Sequence, residues 1–333
     1  MDKIDFVMIW VDNNDPEWQK LYNQYKPSNN NKKEDASIVR YRDWDNLKYW
    51  FRGVEKFTPW VNKIHFITCG HKPSWLNINA PKLNFIKHSD YIPSQYLPVF
   101  SANPIEIHLH RIPDLSEHFV YFNDDIFITN KISPNRFFQK GLPCDMAICN
   151  ALSPNDPIMT HIIANDVFCI NSIFNKKDTF LKNTTKWINY KYGLKNFRTI
   201  CLLPWPRYSA FFDPHLPNAF LKSTLVNVWS NFENKLNETS LSRFRSIADV
   251  NQYLFRYWQL ASGTFTPYNV CKQSKYITIS DYNINDITTL IKKQQNNIIV
   301  LNDSIKITDF ELAKKQINNA LESILPEKSS FEL

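Results

Sequence analysis

Residues Ile4 to Val11 read IDFVMIWV and run straight into Asp12-Asn13-Asn14-Asp15-Pro16. A nearly continuous apolar run stopped by a polar turn fits a strand buried on both faces of a parallel sheet. Ligands of open α/β sheets bind at the carboxyl ends of such strands. Carboxylates at Asp12 and Asp15 can hold a ribose, a base edge or a metal there. They can equally make the turn and cap a helix starting near Pro16.

Outward from that strand, residues 17–26 suit a short helix, and residues 27–37 (PSNNNKKEDAS) a polar mobile loop. Residues 45–57 put Leu47, Trp50, Phe51, Val54 and Phe57 on one helical face, and Pro59 stops the helix. Ile64–Thr68 and Leu83–Lys87 read as strands, and Ser101–Leu109 as a helix. His118–Phe122 is another buried strand, running into Asn123-Asp124-Asp125, and Asp145–Cys149 suits a further one. This alternation over residues 1–150 argues for an α/β fold with parallel strands.

Beyond residue 150 the expectation is mainly helix over 170–200 and 218–260, with Pro-rich extended chain at 202–218. Residues 276–307 read as short strands and turns. Residues 309–324 form an amphipathic helix with Phe310, Ala313, Ile317, Ala320 and Ile324 on one side, suited to core packing or to a membrane or partner. No apolar run reaches the roughly 18 residues of a membrane span. The acidic start at Asp2 and Asp5 does not read as a signal peptide.

Composition narrows the chemistry. The chain has 333 residues, 43% hydrophobic, so it can bury a core without staples. Its 5 glycines never cluster, which excludes the dinucleotide fingerprint and the P-loop. Nucleotide binding would have to use side chains, with or without a metal. Six cysteines without a CxxC pair read as reduced thiols of a cytoplasmic protein. The net charge of +7 sits mostly in residues 151–260, with 13 basic against 7 acidic residues. Such a surface favours phosphates, polyanionic polymers or acidic lipids, or is simply solvated.

Four further groups can carry chemistry. The adjacent Asp124 and Asp125 repel each other unless a hard divalent cation sits between them, although adjacent acids also occur in ordinary turns. Arg40-Tyr41-Arg42-Asp43 offers guanidinium forks for phosphate, or surface charge at a helix entrance. His215 stands in Asp213-Pro214-His215-Leu216-Pro217, on a stiffened backbone suited to a general acid or base. Arg243-Phe244-Arg245 precedes Asp249, which would share a helical face with Arg245.

Together these segments resemble the Stealth family of capsular-polysaccharide phosphotransferases, which includes the catalytic subunit of the lysosomal-enzyme N-acetylglucosamine-1-phosphotransferase. Four of its conserved regions occur in order. The first resembles IDFVMIWVDNNDPEW (4–18). The second starts at RYRDWDNLKYWFRGVEKFTPWVNKIHFIT (40–68) and continues through KPSWLN (72–77), HSDYIP (88–93) and YLPVFSANPIEIHLHRIPDLSEHFVYFNDDIFI (96–128). The third resembles FDPHLPNAF (212–220), and the fourth RFRSIADVNQYLFRYWQL (243–260). The chain departs from the family at Cys69-Gly70-His71, where an acid-Gly-Gln turn is usual, and at Trp44, where Asn usually follows Arg-Asp. Its third region is short, with one histidine.

The resemblance implies a Rossmann-like, glycosyltransferase-A-type core with added helical elements. The expected layout is a catalytic domain over 1–270 and a C-terminal extension over 271–333. It implies transfer of sugar-1-phosphate from a UDP-sugar to a glycan or lipid-linked glycan hydroxyl, with release of UMP; an ordinary glycosyltransferase releasing UDP is the alternative. In that scheme Asp124 and Asp125 hold Mg²⁺ (or Mn²⁺), or one of them takes the acceptor proton. His215 is the rival base, and Arg42 and Arg245 neutralise the diphosphate. Asp12, Asp15, Asp43, Arg243 and Asp249 belong to substrate binding, and Asn103 contacts the sugar. The expected setting is cytoplasmic, with possible peripheral contact at the inner membrane face, and no nucleic-acid partner.

Overall fold

The computed structural model describes residues 2–27, 34–35 (backbone only), 42–154, 156–304 and 307–333. Arg40, Tyr41 and most of the polar loop expected at 27–37 lie outside the described residues. The chain begins β1 (Ile4–Ile9), α1 (Pro16–Tyr25), β2 (Glu34–Asp35), α2 (Leu47–Phe57), β3 (Ile64–Thr68) and β4 (Leu83–Lys87). It continues α3 (Ala102–Glu106), β5 (His118–Phe122), β6 (Ile126–Ile128), β7 (Phe138–Gln139), β8 (Leu142–Asp145) and β9 (Cys149–Asn150). Next come α4 (Pro157–Ile173), α5 (Lys176–Trp187), α6 (Asn196–Leu202), β10 (Ala210–Phe211), β11 (Asn218–Leu221) and α7 (Lys222–Ser240). The chain closes with β12 (Arg245–Ser246), α8 (Gln252–Ser262), β13 (Thr266–Pro267), β14 (Ser274–Thr278), α9 (Ile284–Lys293), β15 (Ile298–Asn302) and α10 (Phe310–Ile324).

The central sheet has the order β11-β5-β1-β3-β4. Strands β5, β1, β3 and β4 are parallel, and β11 is antiparallel to β5. The expected α/β fold with added helical elements is what forms. Strand β1 is buried on both faces: Ile4, Phe6 and Met8 enter one core, and Val7 the other. Helix α2 covers the first of these faces with Trp50, Phe51 and Val54. Each fully buried side chain of that kind contributes about 1.5–3 kcal/mol. Gly53 has a specific reason to be glycine: a Cβ there would stand 2.5 Å from the Ile128 carbonyl oxygen, so only its absence lets α2 approach β6.

One acid breaks the apolar run of β1. Asp5 is buried, and its carboxylate accepts from the Asn62 amide (2.7 Å), the Lys63 N–H (3.1 Å) and the Ser116 N–H (2.8 Å), with His65 Nε2 at 3.1 Å. Burial alone would raise its pKa; these hydrogen bonds outweigh that and leave it below the usual value. Asp5 thus ties β1 to the chain entering β3 and β5.

Several expectations are corrected. Helix α3 spans only Ala102–Glu106 of the helix expected at 101–109. The single strand expected at Asp145–Cys149 is broken: Asp145 closes β8, Cys149 opens β9, and Met146–Ile148 between them are buried coil. The Ile-rich 276–307 segment contains α9, whose Ile284, Ile287 and Ile291 are buried on one face. Arg245 and Asp249 are not on one helix: Arg245 lies in β12, paired with β2, and Asp249 in the turn before α8.

The last 63 residues are integral to this architecture. Strand β15 pairs in parallel with β14 and antiparallel with β6, and α10 buries Ala313, Ile317, Ala320 and Leu321 in the first core. That helix is a core-packing helix. Among the described residues no single helix is long and apolar enough to cross a membrane; one pair bent by 98°, α4 with α5, has the length and composition. All six cysteines are free.

Candidate active site

The strand order fixes where a ligand sits. From β1 the chain moves to β3 and then β4 on one side, and returns to β5 on the other. Chain ends diverge at such a switch point, leaving a crevice beyond the carboxyl ends of β1 and β5. A cleft of about 620 Å³ opens there. Val11 after β1, Cys69 after β3, His88 after β4 and Asn123-Asp124-Asp125 after β5 all line it.

The acidic pair forms a tight turn held from both sides. It lies between β5 and β6, and the Leu301 N–H of β15 donates to the Asp125 carbonyl (2.8 Å). Asp124 lines the cleft and is exposed to it, with the cleft walls around it. Loss of solvation, then the charge of Asp125, pushes its pKa up to about 7. Asp125 Oδ1 is buried without a hydrogen-bond partner, and its other oxygen, Oδ2, lies 3.2 Å from His215 Nε2.

His215 reaches this point on a strained backbone, with φ of 49° between Pro214 and Pro217. The neighbouring Asp213 anchors that loop. It accepts from Arg256 Nη1 (2.6 Å) and from the Tyr257 hydroxyl. Arg256 is buried and also holds Asp145 through two hydrogen bonds of 2.8 and 2.9 Å. Burial lowers the His215 pKa, but the hydrogen bond and charge of Asp125, with Glu106 and Asp124, raise it above the ordinary histidine value. Burial lifts Asp213 to about 6 despite Arg256.

Of the residues proposed from sequence, the structure brings Arg42, Asp43, Asp124, Asp125, His215 and Arg245 to the lining of one cleft. Arg42 does not point there alone: Nε donates to Asp303 Oδ2 (2.9 Å), Nη2 to Oδ1, and the guanidinium lies 4.2 Å from the Phe310 ring centre. Arg245 Nη1 lies 3.3 Å from Met159 Sδ. The remaining candidates are set back from the lining. Asp15 caps α1 by accepting from the Trp18 N–H (2.7 Å). Asp12 makes the turn through Asn14, while its own N–H donates to His71 Nε2 (2.8 Å). Buried Asn103 donates to Asp249 Oδ2 (2.8 Å), which also accepts from the Ser246 N–H (2.9 Å). Arg243 stacks on Tyr25 with 4.7 Å to the ring centre.

Trp44, noted from sequence as a departure from the family, and Asn123 also line the cleft; Asn46, His88, Glu106 and Asp303 line it without having been singled out from sequence. Burial, then the His71 charge, pushes His88 down to about 3, so it is a neutral wall. Glu106 is buried and accepts from the Tyr121 hydroxyl (2.9 Å) and the Gln252 N–H (3.2 Å). An acid inside the apolar stretch of α3 was the available signal for it.

A divalent cation fits the acidic turn in one specific way. Among the described residues no three His, Cys, Asp or Glu groups could hold a metal ion together. Mg²⁺ needs less, because it is commonly bound by one or two carboxylates with substrate phosphates and water. The unpartnered Asp125 Oδ1 and the raised Asp124 are the two features such a charge would relieve.

Residues 40–144 match the family model described as Stealth protein CR2, conserved region 2. Over its whole length the chain is 42% identical to a capsular polysaccharide phosphotransferase of Streptococcus pneumoniae, covering 98% of that protein. It is 41% identical to a receptor polysaccharide phosphotransferase of Streptococcus gordonii, each chain covered completely. It is 39% identical to an exopolysaccharide phosphotransferase of Lactiplantibacillus plantarum, covering 99% of this chain and 96% of that one. Among solved structures, the galactosyltransferase LgtC matches with a TM-score of 0.38 at 10% identity, over 95% of each chain. Mouse xyloside xylosyltransferase 1 matches at 0.36 and 8% identity, over 90% of this chain and 97% of that one. These structural likenesses are too low to carry an argument; the full-length sequence relatives are not. The chain belongs to the Stealth protein family.

Proposed function

We propose that this protein transfers sugar-1-phosphate from a UDP-sugar to a hydroxyl of a glycan or lipid-linked glycan, forming a phosphodiester and releasing UMP. The product would be a capsule or related cell-surface polysaccharide, and N-acetylhexosamine-1-phosphate is the first donor group to try. The observation that carries the reading is the Asp124-Asp125 turn with His215 bound to it, facing one cleft at the sheet's switch point. The names of the full-length relatives support phosphoryl transfer.

Phosphoryl transfer asks a protein chiefly for positioning and charge neutralisation. The acceptor oxygen attacks the β-phosphorus. The bond from that phosphorus to the bridging oxygen breaks, and this oxygen leaves on UMP. The bond between sugar and phosphate oxygen is untouched, so its configuration is retained. Asp125 orients His215 by accepting from Nε2–H, which leaves Nδ1 to take the acceptor proton. Asp124 and Asp125 would hold Mg²⁺ (or Mn²⁺), which when bound supplies neutralisation of the diphosphate.

Arg245 and Arg42 add positive charge at the same wall, with Asp303 holding the Arg42 fork in place. Asp43 lines the cleft beside Arg42 and serves the substrate pocket. Asn103 and Asp249 act through the backbone beside Arg245. Asp12 and Asp15 shape the nucleotide end by fixing the turn after β1, and Arg243 supports α1 through Tyr25.

The test is chromatography of the nucleotide formed from a panel of UDP-sugars with Mg²⁺ and a hydroxyl-bearing glycan primer. UMP with one donor supports the reading and names that donor. UDP would assign the chain to ordinary glycosyl transfer.

A further inference from the structure

The basic excess of the chain has a specific address. From Thr179 to Phe212 there is no acidic residue, and there are six basic ones: Lys182, Lys186, Lys191, Lys195, Arg198 and Arg207. Among the described residues none of the six forms an ion pair with a carboxylate. Lys186 and Lys191 are turned inward to backbone carbonyls of Phe265 (3.0 Å) and Pro267 (2.9 Å). Lys182, Arg198 and Arg207 are exposed.

The same segment shows its apolar side chains to the outside. Tyr190 is 86% exposed, Leu194 83%, Phe197 63% and Trp205 56%. In α6, Phe197, Ile200 and Cys201 follow helical spacing on one exposed face, while Thr199 on the other side is buried. A helix of a globular protein normally turns its apolar stripe inward. Here the stripe faces out and continues through Leu203 to Trp205. Contiguous exposed apolar surface rimmed by charge marks an interaction site.

We propose that the face from Tyr190 to Arg207 docks the enzyme on an anionic lipid bilayer. Tyr190, Leu194, Phe197 and Trp205 enter the boundary between head groups and acyl chains, where aromatic and aliphatic side chains are stable. Lys182, Arg198 and Arg207 meet the lipid phosphates. Charge complementarity selects the occupant: an acid-free, basic rim suits a negative surface. The aliphatic groups select lipid over a phosphodiester glycan, because Leu194, Ile200 and Leu203 have nothing to bind on a polyanion in water. None of these residues lines the cleft, so the proposal stands apart from the reaction.

The test is co-sedimentation of the full chain with vesicles of phosphatidylcholine alone or with about 30% phosphatidylglycerol. The expected result is binding at least about 10-fold tighter to the anionic vesicles and weakened by salt. Leu194→Ser, Phe197→Ser and Trp205→Ser combined should lower that binding about 10-fold or more, and Arg198→Glu with Arg207→Glu likewise. UMP release on a soluble acceptor should stay unchanged in both variants, which also reports that they fold. Wild-type protein that stays in the supernatant with both vesicles overturns the proposal. So does vesicle binding that both variants retain. A concentration-dependent dimer that the serine variant dissolves would assign the face to a second copy and overturn it too.

Discussion

His215 Nε2 lies 3.2 Å from Asp125 Oδ2, across 90 positions of sequence. The two meet because β5 delivers Asp125 to the switch point, and the Asp213–Arg256 anchor holds the proline-framed loop above it.

The proposed base role of His215 sets a pH dependence. The imidazole can take a proton only when neutral, and its neighbours raise its pKa above the ordinary value of 6.5. Activity should therefore fall as pH drops, with the midpoint of that limb above 6.5. Asp125→Asn removes the charge that holds the proton, so the limb should move to lower pH while the rate falls about 100-fold. Asp124 also titrates, at about 7, so the Asp124→Asn profile is the control. The limb should persist in that variant; its disappearance would hand the base role to Asp124.

Removal of divalent cations by a chelator should abolish turnover, and added Mg²⁺ should restore it. Asp124→Asn should raise the Mg²⁺ concentration needed for half-maximal rate by about 10-fold or more, with thermal unfolding of the metal-free protein little changed. An unaltered Mg²⁺ requirement would remove Asp124 from the metal's ligands.

Arg256 supports the site at a distance. Replacing it with Met leaves buried Asp145 and half-buried Asp213 without their shared cation, which costs about 3–5 kcal/mol. Chemical denaturation should register that loss. Activity should fall further than stability alone explains at temperatures where the fold persists, because the His215 loop loses its anchor. Arg256→Lys restores the charge but not the two-pronged geometry, so it should recover only part of the activity.

Asp5 governs acid stability. Its carboxyl pKa is depressed in the folded chain, so its contribution is complete above the unfolded value near 3.8 and is lost as pH falls below it. Asp5→Asn should lower stability at neutral pH and flatten the loss of stability below about pH 4. Denaturant melts of the two proteins across that range give the comparison.

Much of the frame was legible because periodicity reports burial. Strands β1, β3 and β5 are largely apolar runs in a sheet covered on both sides, and α2 and α10 carry regular apolar stripes. Local apolarity misled where tertiary contacts decide conformation. The stretch from Asp145 to Cys149 looks like one strand, yet the chain breaks into buried coil at Met146–Ile148, beside Arg256, between the end of β8 and the start of β9. The isoleucines of α9 suggested strands, although Ile284, Ile287 and Ile291 keep helical spacing.

The site was legible as residue types and not as partnerships. Asp124, Asp125 and His215 were individually visible. That Asp303 holds Arg42, 261 positions away, was not. Nor was Arg256, embedded in the apolar helix LFRYWQL, readable as the anchor of another loop. Such pairings arise from topology, which no local window contains.

The central claim is that the β-phosphorus moves with the sugar. The most direct measurement follows a UDP-sugar labelled at that phosphorus, with Mg²⁺ and a glycan primer. The account predicts that the label enters the glycan in a phosphodiester while unlabelled UMP is released. Label recovered in UDP, with sugar alone in the glycan, would contradict it.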